Sequence, residues 1–322
     1  MQVGTGKIVV LGTGGTIAGK AAEAGDNIGY TAGQVGVGQL LEAIPGLAQA
    51  ARGRIEAEQI AQIDSKDMDF AVWRQLAHRC TQLLADPDVR GIVVTHGTDT
   101  LEETAWFLDS VLDTAQRPVV LACAMRPATA IAPDGPQNLL DAVALAATPG
   151  ARGVLAVVAG TIHTARNVQK VHPYRVDAFS SGDAGPLGWV EEGAVRLTHG
   201  WPAPSVPRSD ALHHIANTYL WPRVEVLMNH VGADGRIVDL LVLDGVDGLV
   251  VAATGNGTLH HALAKALERA HESGVEVRVA TRCPLGRVLP KPGDALPHSE
   301  GLSPVKARIS LLLDLLARPR RP

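Results

Sequence analysis

The chain has 322 residues, of which 46% are apolar and 19% are charged, and its formal net charge is −4. A chain this long and this apolar can bury a sizeable core, which excludes disorder as its main state. The slight acidic excess argues against a surface for nucleic acid or for an anionic membrane, because such surfaces carry an excess of Lys and Arg. The three cysteines, Cys80, Cys123 and Cys283, are scattered and odd in number. No disulfide framework is therefore expected, and a reducing compartment is the default.

No stretch of the chain approaches the ~18 consecutive apolar residues of a membrane span. The first strand-like run begins at Ile8, and no basic and apolar leader segment precedes it. The sequence therefore predicts a cytoplasmic protein with no membrane segment.

Short apolar runs alternate with helical patterns along the chain. The predicted strands are residues 7–11, 91–95, 118–122, 153–159, 224–228, 249–253 and 275–280. The predicted helices are residues 68–85, 101–112, 138–147, 258–273 and 304–317. Several strands are apolar without alternation, which is typical of strands covered on both faces of a parallel sheet. The pattern predicts an α/β fold, with a larger N-terminal doubly wound sheet, a smaller C-terminal α/β domain and right-handed crossovers.

The clearest composition change lies between residues 200 and 222. Prolines interrupt any regular element there, at Pro202, Pro204, Pro207 and Pro222. We therefore predict an N-terminal domain at residues 1–200, a Pro-rich linker at 201–222 and a C-terminal domain at 223–322.

A glycine-rich loop follows the first predicted strand directly, and two of its interpretations involve a nucleotide. A dinucleotide fingerprint fails, because Ile17 occupies the third glycine position of G-x-G-x-x-G. A phosphate loop nearly fits, because residues 14–20 read G-x-x-x-x-G-K. However, Ala21 stands where a hydroxyl residue should hold Mg²⁺.

The third interpretation of this loop is a nucleophile site. It places Thr13 and Thr16 at the carboxyl end of a strand, where ligands bind in open α/β sheets. Its glycines let the backbone approach a ligand, with N–H groups facing developing negative charge. A tight turn whose threonines bond only to backbone is the alternative, and the loop alone leaves the choice open.

A second loop follows the strand at residues 91–95. Thr100 and Glu103 form a T-x-x-E capping box, which explains them as a helix start. The box does not explain Thr98 and Asp99, a hydroxyl and a carboxylate ahead of the cap. Two such loops at strand ends predict an acyl-transfer site. His96, in the same turn, is expected to be a structural hydrogen-bonding residue rather than a general base.

Residues 10–19 (VLGTGGTIAG) and 94–105 (VTHGTDTLEETA) together resemble the paired signatures of the bacterial-type L-asparaginase family. The resemblance continues through residues 124–139 (AMRPATAIAPDGPQNL), 255–257 (GNG) and 306–308 (KAR), and so spans almost the whole chain. It implies hydrolysis of the side-chain amide of asparagine, and more weakly of glutamine, to the acid and ammonia. It also implies a threonyl acyl-enzyme, with no metal and no organic cofactor.

The resemblance also implies the catalytic residues, which are Thr16, Tyr30, Thr98, Asp99 and Lys170. Thr16 matches the nucleophile, and Tyr30 matches the tyrosine of a mobile loop. Thr98 matches a second threonine, which is paired with Lys170. Asp99 completes this second group and faces the substrate's α-ammonium.

The implied substrate-binding residues are Ser65, Lys66, Thr98, Asp99 and Asn256. Ser65 is expected to hold the α-carboxylate near a helix start, although Ser65 or Asp67 could instead cap that helix. Lys66 stands where many exported members carry glutamine, and it cannot accept a hydrogen bond from the substrate amine. Asn256 matches a residue lent to the neighbouring subunit's site, which implies a homotetramer of intimate dimers.

Two alternatives remain at this stage. The enzyme could prefer glutamine or another amide, such as that of an aminoacyl-tRNA. From a different class, the chain could be a non-catalytic amino-acid- or nucleotide-binding protein that uses the loop at residues 12–20.

No metal site is expected, because the adjacent pairs His213–His214 and His260–His261 point apart and lack a further ligand at suitable spacing.

Overall fold

The alternating pattern folds into two units, Met1–Pro207 (unit 1) and Arg208–Pro322 (unit 2). The computed structural model describes residues 6–23, 25–217 and 220–318. The strands of unit 1 are β1 Lys7–Gly14, β2 Arg54–Ile63, β3 Val89–Thr95, β4 Pro118–Ala122, β5 Gly153–Val158, β6 Thr161–Thr164, β7 Gln169–Lys170, β8 Phe179–Ser180, β9 Gly188–Glu191 and β10 Ala194–Leu197. Its helices are α1 Val37–Glu42, α2 Leu47–Ala51, α3 Phe70–Ala85, α4 Leu101–Val111 and α5 Gly135–Ala146, with 3₁₀ turns at Thr16–Ala18, Ser65–Asp67 and Gly182–Ala184.

Unit 1 is built on one eight-stranded sheet in the order β10-β9-β6-β5-β4-β3-β1-β2. Five neighbouring strands, β2, β1, β3, β4 and β5, pair in parallel. Strands β6, β9 and β10 extend the sheet in antiparallel pairs. The parallel part confirms the predicted α/β fold. The antiparallel extension was not predicted, because its strands are only four residues long.

Strands β1 and β3 lie side by side in the middle of the parallel part, and Gly12 lies opposite Thr95. The chain leaves β1 towards β2 on one side and continues from β3 towards β4 on the other. This reversal is a topological switch point, where open α/β sheets bind ligands at the carboxyl ends of their strands. The loops after β1 and β3 are the two that the sequence singles out.

Several element boundaries differ from the predicted ones for local reasons. Helix α3 begins at Phe70 because the Asp69 carboxylate accepts a hydrogen bond from the Val72 N–H at 2.8 Å. Strand β2 was not predicted at all. Its Arg54 and Glu56 are exposed at the sheet edge and its Glu58 is half-buried, so the strand lacks an apolar run.

Unit 2 contains α6 Ser209–Asn217, β11 Val224–Met228, α7 Arg236–Leu243, β12 Gly248–Ala253, α8 His261–Glu272, β13 Glu276–Thr281 and α9 Pro304–Leu316. Its three strands form a parallel sheet in the order β11-β12-β13, joined by α7 and α8. The smaller α/β domain is therefore confirmed. Helix α6 lies within the predicted Pro-rich linker, between Pro207 and Pro222, where no regular element was expected.

Within the described ranges, no helix has both the length and the apolar character needed to cross a membrane.

Candidate active site

The glycine-rich loop begins where β1 ends. Gly15 has a φ of +82°, a conformation that favours glycine, and its N–H donates to the Ile63 carbonyl at 2.8 Å. The next residue, Thr16, starts a single 3₁₀ turn and is 6% exposed. Its Oγ1 lies 2.7 Å from the hydroxyl oxygen of Tyr30, and either atom can be the donor. Thr16 and Tyr30, which are 14 positions apart, therefore form one hydroxyl pair.

Thr13 has a different environment from Thr16. Its Oγ1 donates to the Thr95 carbonyl at 2.8 Å, and the side chain is buried. This hydrogen bond ties the end of β1 to the end of β3. Of the two threonines in the loop, Thr16 has a hydroxyl partner that can exchange a proton with it.

The second loop places a hydroxyl, an amine and a carboxylate together. The Lys170 Nζ donates to Thr98 Oγ1 at 2.8 Å and to Asp99 Oδ1 at 2.7 Å. Thr98 is buried, the Lys170 side chain is 17% exposed and the Asp99 side chain is 51% exposed. The ion pair therefore reaches from the buried hydroxyl to the surface.

Lys170 reaches this position from β7, which pairs with β8 in a short hairpin. Its backbone N–H donates to the Glu102 carboxylate in the first turn of α4 at 3.3 Å. Glu102 was not predicted as a partner of Lys170. The signal was weak, because acidic residues are common in the first turn of any helix.

The two loops touch through glycines. A Cβ at Gly15 would lie 2.4 Å from the Gly97 Cα, and a Cβ at Gly97 would lie 2.4 Å from the Ser65 Oγ. Since Gly15 precedes Thr16 and Gly97 precedes Thr98, this contact brings the turns that carry both threonines together. A side chain at either glycine would push the turns apart.

Ser65 connects a third segment to the same place. Its Oγ accepts from the Asp99 N–H at 3.1 Å, and its carbonyl accepts from the Thr100 hydroxyl at 2.8 Å. The Thr100 half of the predicted capping box is therefore wrong: Thr100 occupies the N-cap position of α4, but its side chain makes no cap hydrogen bond. The alternative of Ser65 or Asp67 as the cap of α3 is also wrong, because Asp69 caps that helix.

Lys66 lies next to Ser65 but turns towards solvent. Its side chain is 61% exposed, and its ammonium pairs with Asp67 and lies 3.9 Å from Asp64. The hydrogen bond to Asp67 raises the pKa of Lys66, with smaller contributions from Asp64 and Asp99. Lys66 is therefore a cation near the Asp99 carboxylate.

Asn256 lies in unit 2, in the turn after β12. Its amide nitrogen donates to the Leu289 carbonyl at 3.1 Å, and its amide oxygen accepts from the Leu289 N–H at 2.7 Å. Both polar ends of the side chain therefore hold the segment that follows β13.

His96 is fully buried at the start of the second loop. Its Nδ1 lies 2.7 Å from the Gly97 carbonyl, so Nδ1 carries the proton in the neutral ring. Burial lowers the pKa of His96 to about 4. The ring therefore stays neutral near pH 7 and holds the turn that Gly97 shares with Gly15.

Two of the three cysteines, Cys80 and Cys123, are buried. Burial raises the pKa of Cys80 to about 12 and also raises the pKa of Cys123, so both thiols stay protonated.

No cluster of three or more His, Cys, Asp or Glu that could hold a metal occurs in the part of the chain that the structure describes.

The phosphate-loop interpretation is wrong. A phosphate loop leads into a helix whose first residues include its lysine. Here Lys20 pairs with Thr31 through backbone hydrogen bonds, and the next helix, α1, begins only at Val37.

Two family models match the chain. "Asparaginase, N-terminal" matches residues 7–202, and "Glutaminase/Asparaginase C-terminal domain" matches residues 223–320. The chain is 38% identical to L-asparaginase 2 of Bacillus subtilis, over 96% of this chain and 82% of that protein. It is 35% identical to a glutaminase-asparaginase of Pseudomonas fluorescens, over 96% of this chain and 86% of that protein.

A solved structure is similar over almost the same extent. It is the crystal structure of a probable cytoplasmic L-asparaginase from Campylobacter jejuni, with a TM-score of 0.88 and 36% sequence identity. The match covers 96% of this chain and 95% of that one. Together with the two family models, which cover most of both units, these relatives establish that the chain belongs to the asparaginase family.

Proposed function

We propose that the protein hydrolyses the side-chain amide of L-asparagine to L-aspartate and ammonia. The observation that carries this proposal is the pair of hydroxyl sites at neighbouring strand ends. Thr16 lies 2.7 Å from the Tyr30 hydroxyl, and Thr98 lies 2.8 Å from the Lys170 ammonium. Family membership and the similarity to proteins named L-asparaginase support the same substrate.

In the proposed first step, the Thr16 Oγ attacks the amide carbon of asparagine while its proton passes to the Tyr30 oxygen and the Tyr30 hydroxyl proton moves on towards the amide nitrogen. Backbone N–H groups of the glycine-rich turn stabilise the oxyanion. The C–N bond then breaks, and the nitrogen leaves as ammonia with a proton supplied through the hydroxyl and ammonium groups. In the second step, water attacks the Thr16 ester, which releases aspartate and restores the hydroxyl.

Thr98, Lys170 and Asp99 are proposed to form the second proton-transfer group. The ammonium of Lys170 bridges the Thr98 hydroxyl and the Asp99 carboxylate, so a proton can move between substrate and this group without crossing bulk water. Asp99 also presents its half-exposed carboxylate to the substrate's α-ammonium.

Ser65 is proposed to hold the α-carboxylate of the substrate, and Lys66 is proposed to act on the substrate's α-substituents through its charge. Ser65 supports this role through its buried hydroxyl, which already fixes the Asp99 N–H. The charge of Lys66 repels an ammonium and attracts a carboxylate, so we propose that Lys66 shapes substrate preference rather than binding the amine.

We further propose that residues 1–200 carry the nucleophile loops, that residues 201–222 connect the halves and that residues 223–322 supply Asn256 to a neighbouring subunit. The active form would be a homotetramer of intimate dimers. Apolar side chains exposed on α7, at Ile237, Leu240 and Leu243, support self-association of unit 2.

The relative from Campylobacter jejuni is named as probably cytoplasmic, and we propose the same location here.

Glutamine is the second candidate substrate. It is favoured by the matching C-terminal family model, described as Glutaminase/Asparaginase, and by the glutaminase-asparaginase relative. The side chain of glutamine is one methylene longer, so the same hydroxyl chemistry would apply at a slightly displaced carbon.

Ammonia release from asparagine, glutamine and D-asparagine tests both candidates. We expect asparagine to give the highest kcat/KM. Thr16→Ala should lower kcat by at least about a thousandfold, since it removes the nucleophile. Thr81→Ala, which removes a hydroxyl that bonds within α3, is the matched control and should keep full activity. Undiminished turnover by Thr16→Ala would refute the proposed nucleophile.

A further inference from the structure

The tyrosine loop, residues 20–31, is closed by backbone hydrogen bonds between its two end residues, Lys20 and Thr31, which are called its neck below. The Lys20 N–H donates to the Thr31 carbonyl at 3.0 Å, and the Thr31 N–H donates to the Lys20 carbonyl at 2.9 Å. Inside the loop, the Asp26 carboxylate accepts from the N–H groups of Ile28 and Gly29 at 2.8 and 2.7 Å. These hydrogen bonds hold the described residues of the loop to one another, so the position of Tyr30 depends on what holds Lys20 and Thr31.

The neck is held by two residues that follow β4. The Ala128 N–H donates to the Gly19 carbonyl at 3.1 Å, and the Thr129 Oγ1 accepts from the Ala21 N–H at 2.9 Å. The first contact uses only backbone atoms. The second depends on the identity of a side chain, so it is the contact that a substitution can remove.

Thr129 is presented by a segment that is itself fixed. The Asp134 carboxylate accepts from the N–H groups of Met125 and Arg126, both at 2.9 Å, and the Arg126 side chain donates to the Ala132 carbonyl at 3.0 Å. Asp134 also accepts from the Asn138 side chain in α5 at 3.3 Å. The hydroxyl of Thr129 therefore projects from an anchored segment towards a loop whose other hydrogen bonds are largely its own.

We propose that Thr129 is a positioning residue: its hydroxyl latches the neck of the tyrosine loop and thereby keeps the Tyr30 hydroxyl against Thr16. The effect on turnover rests on the proposed function, whereas the latch itself does not. Loss of one neutral hydrogen bond is expected to change the ratio of closed to open loop by about fivefold.

Trypsin provides a direct test of the latch. Lys20 is exposed, and it is the single Lys or Arg between residues 8 and 51. The nitrogen of the Lys20–Ala21 peptide bond is the one whose hydrogen is held by Thr129. Because cleavage of a transiently open site tracks the open population, Thr129→Val should be cut after Lys20 about fivefold faster than the native protein.

Two further variants control this test. Thr129→Ser keeps the hydroxyl and should be cut at the native rate. Thr148→Val removes a half-buried hydroxyl that bonds to the Ala144 carbonyl, away from the loop, and should also be cut at the native rate. Intact-mass measurement of the fragment that begins at Ala21 identifies the cleavage.

The kinetic expectation separates a positioning role from a general structural one. Thr129→Val should raise the KM for asparagine by up to about fivefold and change kcat by less than about twofold, because bound substrate still favours the closed loop. Thr129→Ser should restore the native KM. A fall in kcat with an unchanged KM would contradict the latch.

Native cleavage kinetics in Thr129→Val would overturn the proposal, and so would Thr129→Ser being cut as fast as Thr129→Val. If Thr129→Val does not fold, hydrogen exchange of the native protein decides instead. The Ala21 amide should be protected to about the level of the Thr31 amide, and exchange at the rate of an unstructured peptide would refute the latch. If the native protein releases no ammonia from asparagine, the proposed function fails, while the cleavage rates still decide the latch.

Discussion

Lys170 shows how much a single side chain contributes to the candidate site. Its ammonium is the common partner of Thr98 and Asp99, at 2.8 and 2.7 Å. Without it, the Thr98 hydroxyl would lose its charged partner and the Asp99 carboxylate would lose its counter-charge. The roles of the hydroxyl and the carboxylate therefore depend on a residue 71 positions further along the chain than Asp99.

We predict that Lys170→Met lowers the rate of the chemical step by about 100- to 10,000-fold, the range for loss of a proton-transfer group. Substrate binding should change much less, and single-turnover measurements separate the two. Lys265→Met, at an exposed lysine of α8, should behave like the native enzyme. A Lys170→Met enzyme with a native single-turnover rate would remove Lys170 from the mechanism.

His96 gives a second prediction at this scale, which concerns stability rather than rate. Its pKa is lowered to about 4 in the folded protein by burial, whereas the unfolded chain has the ordinary value of 6.5. As the pH falls through 6.5 towards 4, the unfolded state takes up a proton before the folded state does. The folded state therefore loses stability in that window, and the contribution is fully present above pH 7.

When the pH falls from 7.5 to 5, the lowered pKa of His96 should reduce the unfolding free energy of the native protein by about 2 kcal/mol. Urea titrations at both pH values, compared with those of His96→Asn, isolate this contribution, because the other groups titrate alike in both proteins. The variant should show the smaller loss on acidification. His78→Asn, at an exposed histidine of α3, should keep the native pH dependence. Equal losses in the native protein and His96→Asn would contradict the prediction.

At the scale of elements, the decisive feature is the contact between the turn after β1 and the turn after β3. The backbone of one turn packs directly against the backbone of the other, because a Cβ at Gly15 would lie only 2.4 Å from the Gly97 Cα. The φ of Gly15, +82°, adds a second reason for glycine at this position. Contact and conformation together set how closely the two threonine-bearing turns can approach.

Gly15→Ala should therefore destabilise the fold by roughly 2 kcal/mol or more and lower kcat/KM through displaced threonines. Thermal unfolding and ammonia release measure the two effects. Gly38→Ala is the matched control: the position is in α1, and apart from its chain neighbours and the helix's own backbone no described atom lies within 4 Å of a Cβ there. It should leave activity unchanged and raise stability slightly, because alanine favours helix over glycine. A Gly15→Ala protein with native stability would contradict the close approach.

At the scale of the whole molecule, unit 2 presents an apolar face. Ile237, Leu240 and Leu243 recur at a spacing of three residues on α7, and Leu243 is 85% exposed. This face is costly in water, so it supports the proposed homotetramer.

Leu240→Asp should weaken self-association, because it places a charge in the middle of this face. Light scattering coupled to size-exclusion chromatography, over a range of protein concentrations, should show a smaller average mass than that of the native protein. Lys265→Asp adds the same acidic side chain at an exposed position of α8 and should keep the native mass. An unchanged mass for Leu240→Asp at low concentration would exclude this face from the assembly.

The predictable parts of the fold are those with a strong local signal. Strands β3 to β5 and β11 to β13 were found within two residues of their bounds, because buried parallel strands are continuous apolar runs. Strand β2 was missed because its exposed charged residues resemble a loop, and its extended state depends on pairing with β1. Helix α6 was missed because prolines flank it without interrupting it.

The candidate site divides in the same way. Thr16, Thr98 and Asp99 are marked by glycine-rich and polar sequences directly after apolar strands. Lys170 carries no such local signal and was identified by family resemblance. Thr129 received no role from the sequence, and Thr100 was assigned to a capping box although its hydroxyl donates to the Ser65 carbonyl.

The sequence by itself determined the fold class and the two polar loops, because apolar runs and glycine-rich turns are local patterns whose meaning changes little with context. No local pattern fixes which hydroxyl meets which partner: family resemblance implied the pairing of Thr98 with Lys170, and the tertiary structure sets the distance in every pair. Thr16 pairs with Tyr30, Thr98 with Lys170 and Thr129 with the Ala21 N–H, across 14, 72 and 108 positions of chain. A hydrogen bond requires its two atoms to lie within about 3 Å, and only the folding of the chain fixes such distances between remote residues.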